Sequence, residues 1–481
     1  KKPSGVWIMA IDKPTDHFGV VTWTGDSSTN QEINGLDFKP DYVWAKIRST
    51  AHPHTNIDSV RGANKYLKAN ETAAEETDPQ YGYLSTFDND GFTTQKGSHA
   101  NPYNINQTGQ TYVAWNWLAG GTAPTKTYTV KVVSDSGNKY RFDDFGTSAV
   151  TLDLQEGGTY TFDQSDSSNS GHPFRFSTTS NGTHGGGSEY TTGVTTTGTP
   201  GSSGAKTVIT VGSGVATLYY YCTQHSGMGG QANTNSTHGS SYFDGDIQST
   251  VSANVEAGFS IVTFTGNGSN SQTVSHGLSQ APEFIILKAR GQGTYGWLTY
   301  DAINGAGKYM SLNGTHGSVS DTGMWSNTAP TSSVFSLSNG GNTAITNPNG
   351  VTMVAYCFHS VKNFSKVSSY IGNGSTNGTY SHLGFKPAFV MLKRSNTTGT
   401  WQMMDNKRDT FNVTDQILTA DGNGAEFTGA GSGGYVYDFL SNGFKAREDN
   451  SYTNASGSTY IYLSIAETPF VTSKKIPTTA R

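Results

Sequence analysis

The sequence predicts an all-β protein, built as a string of antiparallel β-sandwich modules of the jelly-roll or lectin-like kind. Three observations lead to this fold class. One block of sequence recurs three times at long range, Tyr, Phe, Thr and Val are plentiful, and Gly-Asn-Ser-Thr clusters mark turns. Helical patterns are scarce, and the best candidate helix is Asn64–Glu76. Short strands separated by evenly spaced turns are typical of β-sandwiches.

The recurring block starts and ends with an apolar strand pattern. Its copies are Phe18–Arg48, Phe259–Arg290 and Phe364–Arg394. In each copy a Pro precedes a Lys by six residues, in the pairs Pro40/Lys46, Pro282/Lys288 and Pro387/Lys393. Pro is tolerated at the first position of a strand, so each Pro predicts where a strand begins. Because the repeat is so long, it indicates a series of domains rather than a solenoid.

The N-terminal segment Val6–Pro14 resembles the closing strand of the last repeat, Tyr460–Pro469. We interpret it as the final strand of a preceding module, with chance similarity between two apolar segments as the alternative. A strand of this kind needs a sheet to pair with, in this chain or in a neighbouring subunit. The residues of this candidate assembly strand are Val6, Trp7, Ile8, Met9, Ala10 and Ile11.

These patterns divide the chain into six segments. The predicted segments are the N-terminal strand (1–16), the first repeat (17–121), a sandwich with a different pattern (126–240), the second repeat (257–361), the third repeat (362–470) and a C-terminal tail (471–481).

Composition excludes several classes of function. A net charge of −5 gives no basic footprint, so we expect no nucleic-acid partner. No apolar run approaches the roughly 20 residues needed to span a bilayer, so we expect no membrane insertion. The two cysteines lie in different modules and do not form a disulfide framework. Hydrolase and nucleotide-binding motifs are missing, and the sequence therefore predicts a protein that is not an enzyme.

Basic pairs recur at the end of the strand that follows each Pro. They are Lys46 and Arg48, Lys288 and Arg290, and Lys393 and Arg394. We consider them candidate contacts for an acidic glycan or a partner, and the alternative is a strand end that faces solvent or a carboxylate on the facing sheet. The aromatic closing strands, with Trp115, Trp117, Tyr356 and Phe358, predict either sugar stacking or core packing.

The segment 126–240 contains a Cys-x-x-His spacing at Cys222 and His225, with a His-Pro pair earlier at His172. A thiolate and two imidazoles make the trigonal arrangement of blue copper sites. In spacing and strand context the segment resembles the cupredoxins, which implies a Greek-key β-sandwich with copper as the candidate cofactor. The resemblance also implies an axial Met, and Met228 stands at the spacing found in short-loop cupredoxins such as amicyanin.

Two interpretations of this loop stay open from the sequence. It holds a metal, or it is the remnant of such a site in which Cys222 is a small buried apolar residue. The glycines at 227, 229 and 230 predict a looser loop than a rigid copper site favours. Two further histidines, His184 and His238, are additional candidate ligands.

Four motifs together resemble repeat-bearing, tail- or fibre-associated virion proteins of marine phages of the cyanophage kind. They are the TWTG and TFTGNG openings, the GL-x-F-x-P strand, the D-x-x-x-G-A-x-K-Y motif and the LYYYC-x-x-HSGMGG loop. The resemblance implies a non-enzymatic, extracellular virion component, such as a tail fibre or a tail or capsid appendage. Its partners would be other virion proteins, a host surface glycan or receptor, and further copies of itself, with a trimer as the candidate state.

Two alternative functions remain. One is a self-assembling extracellular filament or decoration protein that exchanges its N-terminal strand between subunits. The other is a copper-binding redox module carried on the repeats.

Overall fold

The computed structural model describes residues 11, 13–77, 79–234, 238–341, 346–431, 433–468, 470–471 and 477–478. The chain is all-β with several antiparallel sheets, which confirms the predicted fold class. The helices of the described residues are short 3-10 turns at Pro14–Asp16, Pro79–Tyr81, Ser167–Asn169, Gly182–Gly185 and Gly429–Gly431. None of these helices has the length and apolar character needed to cross a membrane.

The first module, formed by the first repeat, pairs a large sheet in the order β1-β7-β3-β4 with a small sheet in the order β2-β6-β5. Its strands are β1 (Phe18–Thr24), β2 (Gln31–Asn34), β3 (Tyr42–Ile47), β4 (Thr55–Asp58), β5 (Tyr83–Asp88), β6 (Gly91–Gln95) and β7 (Thr111–Trp117).

The segment predicted as a separate sandwich, 126–240, forms the next domain, which we call the inserted domain. It has two sheets, β13-β14-β11-β8-β9 and β10-β16-β15-β12, which include parallel pairs between β8 and β11 and between β10 and β16. Its strands are β8 (Thr125–Ser134), β9 (Asn138–Phe142), β10 (Leu152–Asp153), β11 (Thr159–Asp163), β12 (Phe174–Ser177), β13 (Val194–Thr197), β14 (Lys206–Thr210), β15 (Leu218–Cys222) and β16 (Gly230–Asn233).

The second module repeats the architecture of the first and adds β17 and β18 to the edge of its large sheet, β17-β18-β19-β26-β21-β22-β23-β24, beside the small sheet β20-β25. Its strands are β17 (Ser240–Tyr242), β18 (Ser249–Asn254), β19 (Phe259–Thr265), β20 (Gln272–Ser275), β21 (Phe284–Ala289), β22 (Trp297–Asp301), β23 (Lys308–Ser311), β24 (Val319–Ser320), β25 (Val334–Leu337) and β26 (Thr352–Phe358).

The third module has the large sheet β27-β35-β29-β30-β31-β32 and the small sheet β28-β34-β33. Its strands are β27 (Ser365–Ile371), β28 (Tyr380–His382), β29 (Pro387–Arg394), β30 (Trp401–Asp405), β31 (Gln416–Thr419), β32 (Phe427–Thr428), β33 (Tyr437–Leu440), β34 (Gly443–Ala446) and β35 (Thr459–Ala466), and a short pair, β36 (Phe470–Val471) and β37 (Pro477–Thr478), follows.

The strands after each repeated Pro are buried on both faces. All six residues of β3 and all six of β21 are buried, as are the first seven residues of β29. In β3, Val43 and Ala45 face the small sheet of their own module, whereas Tyr42 and Trp44 belong to a second apolar cluster. This explains why the strands are continuously apolar instead of alternating.

That second cluster is shared by all three modules, whose large sheets turn their inner faces toward one another. Aromatic pairs cross each of the three interfaces: Tyr42 with Tyr356 (ring centroids 4.2 Å apart), Phe284 with Trp401 (5.9 Å) and Phe18 with Phe389 (5.8 Å). Trp115, Trp117, Tyr356 and Phe358 all lie in this core, which confirms core packing for the closing strands. One chain thus forms a closed three-part body around a common centre.

The interface between modules 1 and 2 contains a buried ion cluster. Glu75 of module 1 accepts hydrogen bonds from the Nε and Nη2 atoms of Arg290 at 2.8 and 2.9 Å, and from Arg61 Nη1 at 3.0 Å. Arg61 also pairs with Asp58, whose carboxylate accepts a hydrogen bond from the Tyr356 hydroxyl of module 2.

The interface between modules 3 and 1 repeats this cluster at equivalent positions. Glu426 of module 3 binds the Nε and Nη2 atoms of Arg48 and the Nη1 atom of Arg408. Arg408 pairs with Asp405, which accepts a hydrogen bond from Trp115 Nε1 at 3.0 Å.

The interface between modules 2 and 3 contains no ion pair among the described residues. Asn304 stands where the other modules have Arg61 and Arg408, and Ser395 stands where they have Arg48 and Arg290. Backbone contacts join the two modules instead, including Ser318 N to Ser395 O at 2.6 Å and Gly399 N to Thr315 O at 2.8 Å.

The three repeated lysines are fully buried, so the prediction that they contact a glycan is wrong. The ammonium of Lys288 donates to the carbonyls of Thr72 and Tyr295, and that of Lys393 donates to the carbonyl of Thr315. Lys46 donates to the carbonyl of Ile47, and burial lowers its pKa to about 7.

The arginines of the same pairs are also engaged. Arg48 and Arg290 are only 23% and 16% exposed in their ion pairs, and Arg394 donates from Nη2 to the Ser458 hydroxyl at 2.7 Å. Arg48, Lys288, Arg290 and Lys393 thus contact a neighbouring module, whereas Lys46 and Arg394 bond within their own modules, and none of the pairs forms a free basic surface.

The segment Asn64–Glu76 is not a helix, which corrects the sequence prediction. Leu67 forms a β-bridge with Asn56, and Tyr66 forms one with Glu76. The backbone N–H of Glu75 donates to the carbonyl of Arg290. The segment is irregular, with turns between its two bridges, and the backbone bond of Glu75 to module 2 holds this residue in the ion cluster.

Of the candidate assembly strand, only Ile11 lies within the described residues, and it is buried in the central cluster. The pairing of Val6–Ala10 is outside the described residues. Next to this point the chain passes close to its own C-terminal part, because Thr15 N donates to the Thr468 hydroxyl at 3.1 Å.

We predict that Glu426→Gln lowers the free energy of unfolding by about 3 kcal/mol, because it removes the carboxylate that Arg48 and Arg408 share and leaves Arg408, which is fully buried, with Asp405 alone. Glu75→Gln should cost a comparable amount. The matched control is Asp144→Asn, which breaks the exposed pair with Lys131 and should cost less than about 1 kcal/mol. Urea unfolding measures all three, and equal effects would contradict a structural role for the clusters.

His54 is buried in the interface between modules 3 and 1, where it accepts from Trp44 Nε1 at 2.9 Å and lies 3.0 Å from the Thr419 carbonyl. Burial, with Lys46 and Arg408 nearby, lowers its pKa to about 3. Between about pH 3 and pH 6.5 the unfolded chain therefore binds one more proton at this site, and stability falls as pH falls.

We predict that wild-type protein loses about 2 kcal/mol more of its unfolding free energy than His54→Gln between pH 7 and pH 5. The Gln side chain keeps an acceptor for Trp44 and a donor for Thr419. Urea unfolding at the two pH values gives the difference, with exposed His99→Gln as the control. Identical losses in wild type and His54→Gln would show that this histidine does not titrate between the folded and unfolded states.

Candidate metal centre

The inserted domain is attached to module 2 at one end. Its Tyr128 hydroxyl donates to the Ser241 carbonyl at 3.0 Å, Gln248 Nε2 donates to the Thr151 carbonyl at 2.7 Å, and Asp153 accepts from the Thr250 hydroxyl. The adjacent strand β15 begins near this attachment, because Leu218 pairs with Ala232, which pairs with Leu152. Cys222 ends β15, so it lies at the end of the domain that points away from module 2.

Strand pairing brings the candidate ligands together. Cys222 is the last residue of β15 and is directly opposite Phe174, near the start of β12. His172 precedes β12 by two residues, and His225 follows β15 by three. The two imidazoles therefore reach the same end of the sheet, and their ring centroids are 4.6 Å apart.

The distances match a trigonal metal site. Cys222 Sγ lies 3.8 Å from His172 Nδ1 and 3.7 Å from His225 Nδ1, and the three ligand atoms lie within 4.8 Å of one another. A metal–thiolate bond of about 2.3 Å and a metal–imidazole bond of about 2.05 Å meeting at 120° place S and N about 3.8 Å apart. The side chains thus already have the spacing that a shared ion requires.

The surroundings suit a bound cation with an apolar shell. Cys222 is fully buried and Met228 is 1% exposed in the core of the domain, whereas His225 is exposed. The Tyr140 hydroxyl donates to the His172 carbonyl at 2.9 Å, and both burial and the neighbouring Cys222 raise the pKa of Tyr140. Partial burial and His225 lower the pKa of His172, which favours the neutral imidazole that metals bind.

The glycine-rich loop is tightly packed, contrary to the looser loop expected from its composition. A Cβ at Gly229 would lie 1.7 Å from the Tyr220 carbonyl oxygen, and one at Gly230 would lie 2.7 Å from the Ala149 carbonyl oxygen. The backbone N–H of Tyr140 also donates to the Met228 carbonyl at 3.0 Å. These glycines let the ligand loop lie directly against β15, which holds it in place.

The donor set fits copper better than zinc. Structural zinc sites use four strong ligands in a tetrahedron, whereas the three ligand atoms grouped here, two imidazole nitrogens and one thiolate sulfur, are the set of a trigonal copper site. His184 is not a fourth ligand in this arrangement, because its Nε2 lies 3.0 Å from the Cys222 carbonyl oxygen, and His238 is not among the grouped ligand atoms.

Tyr140 escaped the sequence analysis, and His184, which was predicted there as a candidate ligand, contacts the site through the Cys222 backbone instead. Tyr140 supports His172 from 32 residues away, and His184 approaches the Cys222 backbone from 38 residues away. Neither residue forms a motif with the ligands, because the contacts depend on how the strands pair. Only the proximity of strands β9 and β12, which a sequence pattern does not specify, brings Tyr140 to the site.

Comparison with known proteins gives one family. A family model described as a domain of unknown function, DUF7483, matches residues 13–141 and 231–469, which include the three repeats. The interval between the matched ranges contains His172, Cys222, His225 and Met228. No curated protein and no solved structure matches the chain.

We predict that Gly229→Ala destabilises the protein by about 1–3 kcal/mol, because the added methyl group collides with the Tyr220 backbone. Gly146→Ala in the same domain is the control, since a Cβ there meets no atom within 4 Å. Urea unfolding compares the two variants. Equal stability would mean that the ligand loop moves freely away from β15.

Proposed function

We propose that this chain, which belongs to the DUF7483 family, binds one copper ion in its inserted domain and serves as a non-enzymatic structural protein of a phage virion. The observation that carries the copper assignment is the spacing of Cys222 Sγ from the two imidazole Nδ1 atoms. The structural role is carried by the closed three-module body together with the phage-protein motifs.

In the copper-binding function, His172, Cys222 and His225 hold the ion, and Met228 is the axial candidate. Bound copper in such a site transfers one electron at a time between its two oxidation states. The chain contributes a buried thiolate, a neutral His172 and packing that excludes water on the Met228 side. The exposed ring of His225 is the part of the site that a redox partner can approach.

The copper assignment is tested by adding Cu(II) to the metal-free full chain. We predict one copper per chain and the strong visible absorption of a copper–thiolate bond. Cys222→Ser should abolish the band, and Met228→Leu should keep it at a shifted position. The matched control is Cys357→Ser, which replaces the other buried cysteine in module 2 and should leave the band unchanged. A colourless wild-type protein with substoichiometric copper would leave the remnant interpretation standing.

The virion role is favoured by the way the three modules bury apolar surface. A body whose modules pack around one core can stay folded outside a cell without disulfides. The described residues form no disulfide. The shared core buries apolar side chains of all three modules within one chain. Homo-oligomerisation itself stays a prediction, as do the partners among virion proteins.

The virion role is tested by mass spectrometry of gradient-purified particles of the phage that encodes the chain, followed by immunogold labelling. We predict that the chain co-purifies with infectious particles and that gold marks the tail or an appendage. Presence in the lysate but not in particles would contradict it. The filament alternative predicts instead that the full chain forms long assemblies alone and that deletion of residues 1–12 abolishes them, which light scattering and electron microscopy would reveal.

A further inference from the structure

The small sheets of the three modules differ much more in their surface residues than in the core residues that they bury. One cross-strand pair occupies the same place in each small sheet: Glu32 with Thr93 in module 1, Thr273 with Ser336 in module 2, and Tyr380 with Lys445 in module 3. The residue that follows the first member of each pair, Ile33, Val274 or Ser381, is buried and belongs to the fold of its module. The pair itself is at least partly exposed in modules 1 and 3, whereas Ser336 of module 2 is buried. In module 3 the pair places an aromatic ring opposite a lysine.

The ring of Tyr380 lies over a glycine. A Cβ at Gly443 would be 2.9 Å from both the hydroxyl oxygen and a ring carbon of Tyr380, so the ring covers the bare backbone of β34. Tyr380 is nevertheless 40% exposed. Its hydroxyl donates to Asn442 Oδ1 at 2.6 Å, which fixes the ring and leaves the Asn442 amide N–H groups free to donate.

Lys445 lies directly opposite Tyr380 in the strand pair, and two further basic residues, Lys366 and Arg447, lie on the same module. Lys445 donates to Asn377, Lys366 donates to the His382 carbonyl at 2.7 Å, and Arg447 is 46% exposed in its pair with Asp438. Lys445 and Lys366 thus donate to neutral oxygen atoms and not to a carboxylate, on a chain whose net charge is −5. The corresponding face of module 1 holds Glu32, Asp88 and Asp90 instead, and in module 2 Thr273 is covered by its hydrogen bond to Asp246.

We propose that the face formed by Tyr380, His382, Asn442, Lys445 and Arg447, named here the Tyr380 face, binds an acidic polysaccharide. The ring offers an apolar surface to a sugar ring, the lysine binds a sugar carboxylate, and the amide and imidazole bind hydroxyl groups. Charge complementarity selects an anionic polymer over a neutral one. This inference rests on the proposed virion role, in which module 3 meets the surface of a host.

The test is native electrophoresis of the full chain through gels that contain alginate, a polymer of uronic acids, or dextran, a neutral polymer. Mobility in each gel is compared with that of the same protein in a plain gel, which removes the effect of a changed charge. We expect strong retardation by alginate and none by dextran. Tyr380→Thr and Lys445→Thr, which introduce residues found at this pair in the other modules, should each weaken binding about tenfold.

The matched control is Glu32→Ala, at the equivalent place in module 1, which should leave retardation by alginate unchanged. Thermal unfolding checks that each variant is folded, and Lys445→Thr, at a half-buried site, serves if Tyr380→Thr is unstable. Binding that persists in both Thr variants, or the absence of retardation by alginate, would overturn the proposal. Equal retardation by dextran would overturn the charge argument, and equal retardation by double-stranded DNA would reveal a general polyanion contact instead.

Failure here and failure of the virion role are separate results. A chain that is found in purified particles but is not retarded by alginate keeps the virion role and loses this binding site. A chain that is retarded by alginate through Tyr380 and Lys445 but is missing from particles keeps the binding site and loses the virion role.

Discussion

The burial of each large sheet on both faces is the constraint on which the rest of the structure depends. A sheet that is apolar on one face needs a single partner layer, but the sheets containing β3, β21 and β29 need two. The small sheet of the same module covers the outer face. Only the other two modules can cover the inner face, so the three repeats have to close on a common centre.

The packing of the three modules around one centre explains the hydrogen bonds made by the basic residues at the strand ends. A strand that runs through a buried interface carries its last side chains into that interface, and there a lysine must find acceptors. Lys288 and Lys393 find carbonyl groups of the neighbouring module, and this bonding offsets part of the cost of burying an ammonium. In modules 2 and 3 the buried lysine therefore depends on the neighbouring module, whereas Lys46 donates to the carbonyl of Ile47 in its own module.

The three interfaces also differ in how the chain connects them. Modules 2 and 3 are joined by the short link 359–364, and their interface has no ion pair among the described residues. The inserted domain separates modules 1 and 2, and no direct link joins modules 3 and 1. Both of these interfaces place a glutamate, Glu75 or Glu426, between two arginines. A short link raises the local concentration of the two surfaces, so the ion clusters occur where the chain does not supply that help.

The sequence allowed us to predict those features of the fold that depend on local residue patterns. Strand type, turn positions and the recurring modules follow from apolar runs and Gly-Asn-Ser turns, and the proximity of Cys222 and His225 follows from their spacing. The burial of Lys46 escaped it, because a basic residue at a strand end looks the same whether water or another module lies beyond. Asn64–Glu76 was misassigned for the same reason, since pairing with Arg290 across an interface outweighs the helical preference of its Ala and Glu residues.

The contact between Thr15 and Thr468 has a mechanical consequence. Thr15 lies just before the first strand of module 1 and Thr468 just after the large sheet of module 3, so a force that separates these two points acts directly on the interface between modules 3 and 1. Under such a force we expect the interface between modules 3 and 1 to open first, with the Glu426 cluster resisting the separation, while each of the three modules stays folded.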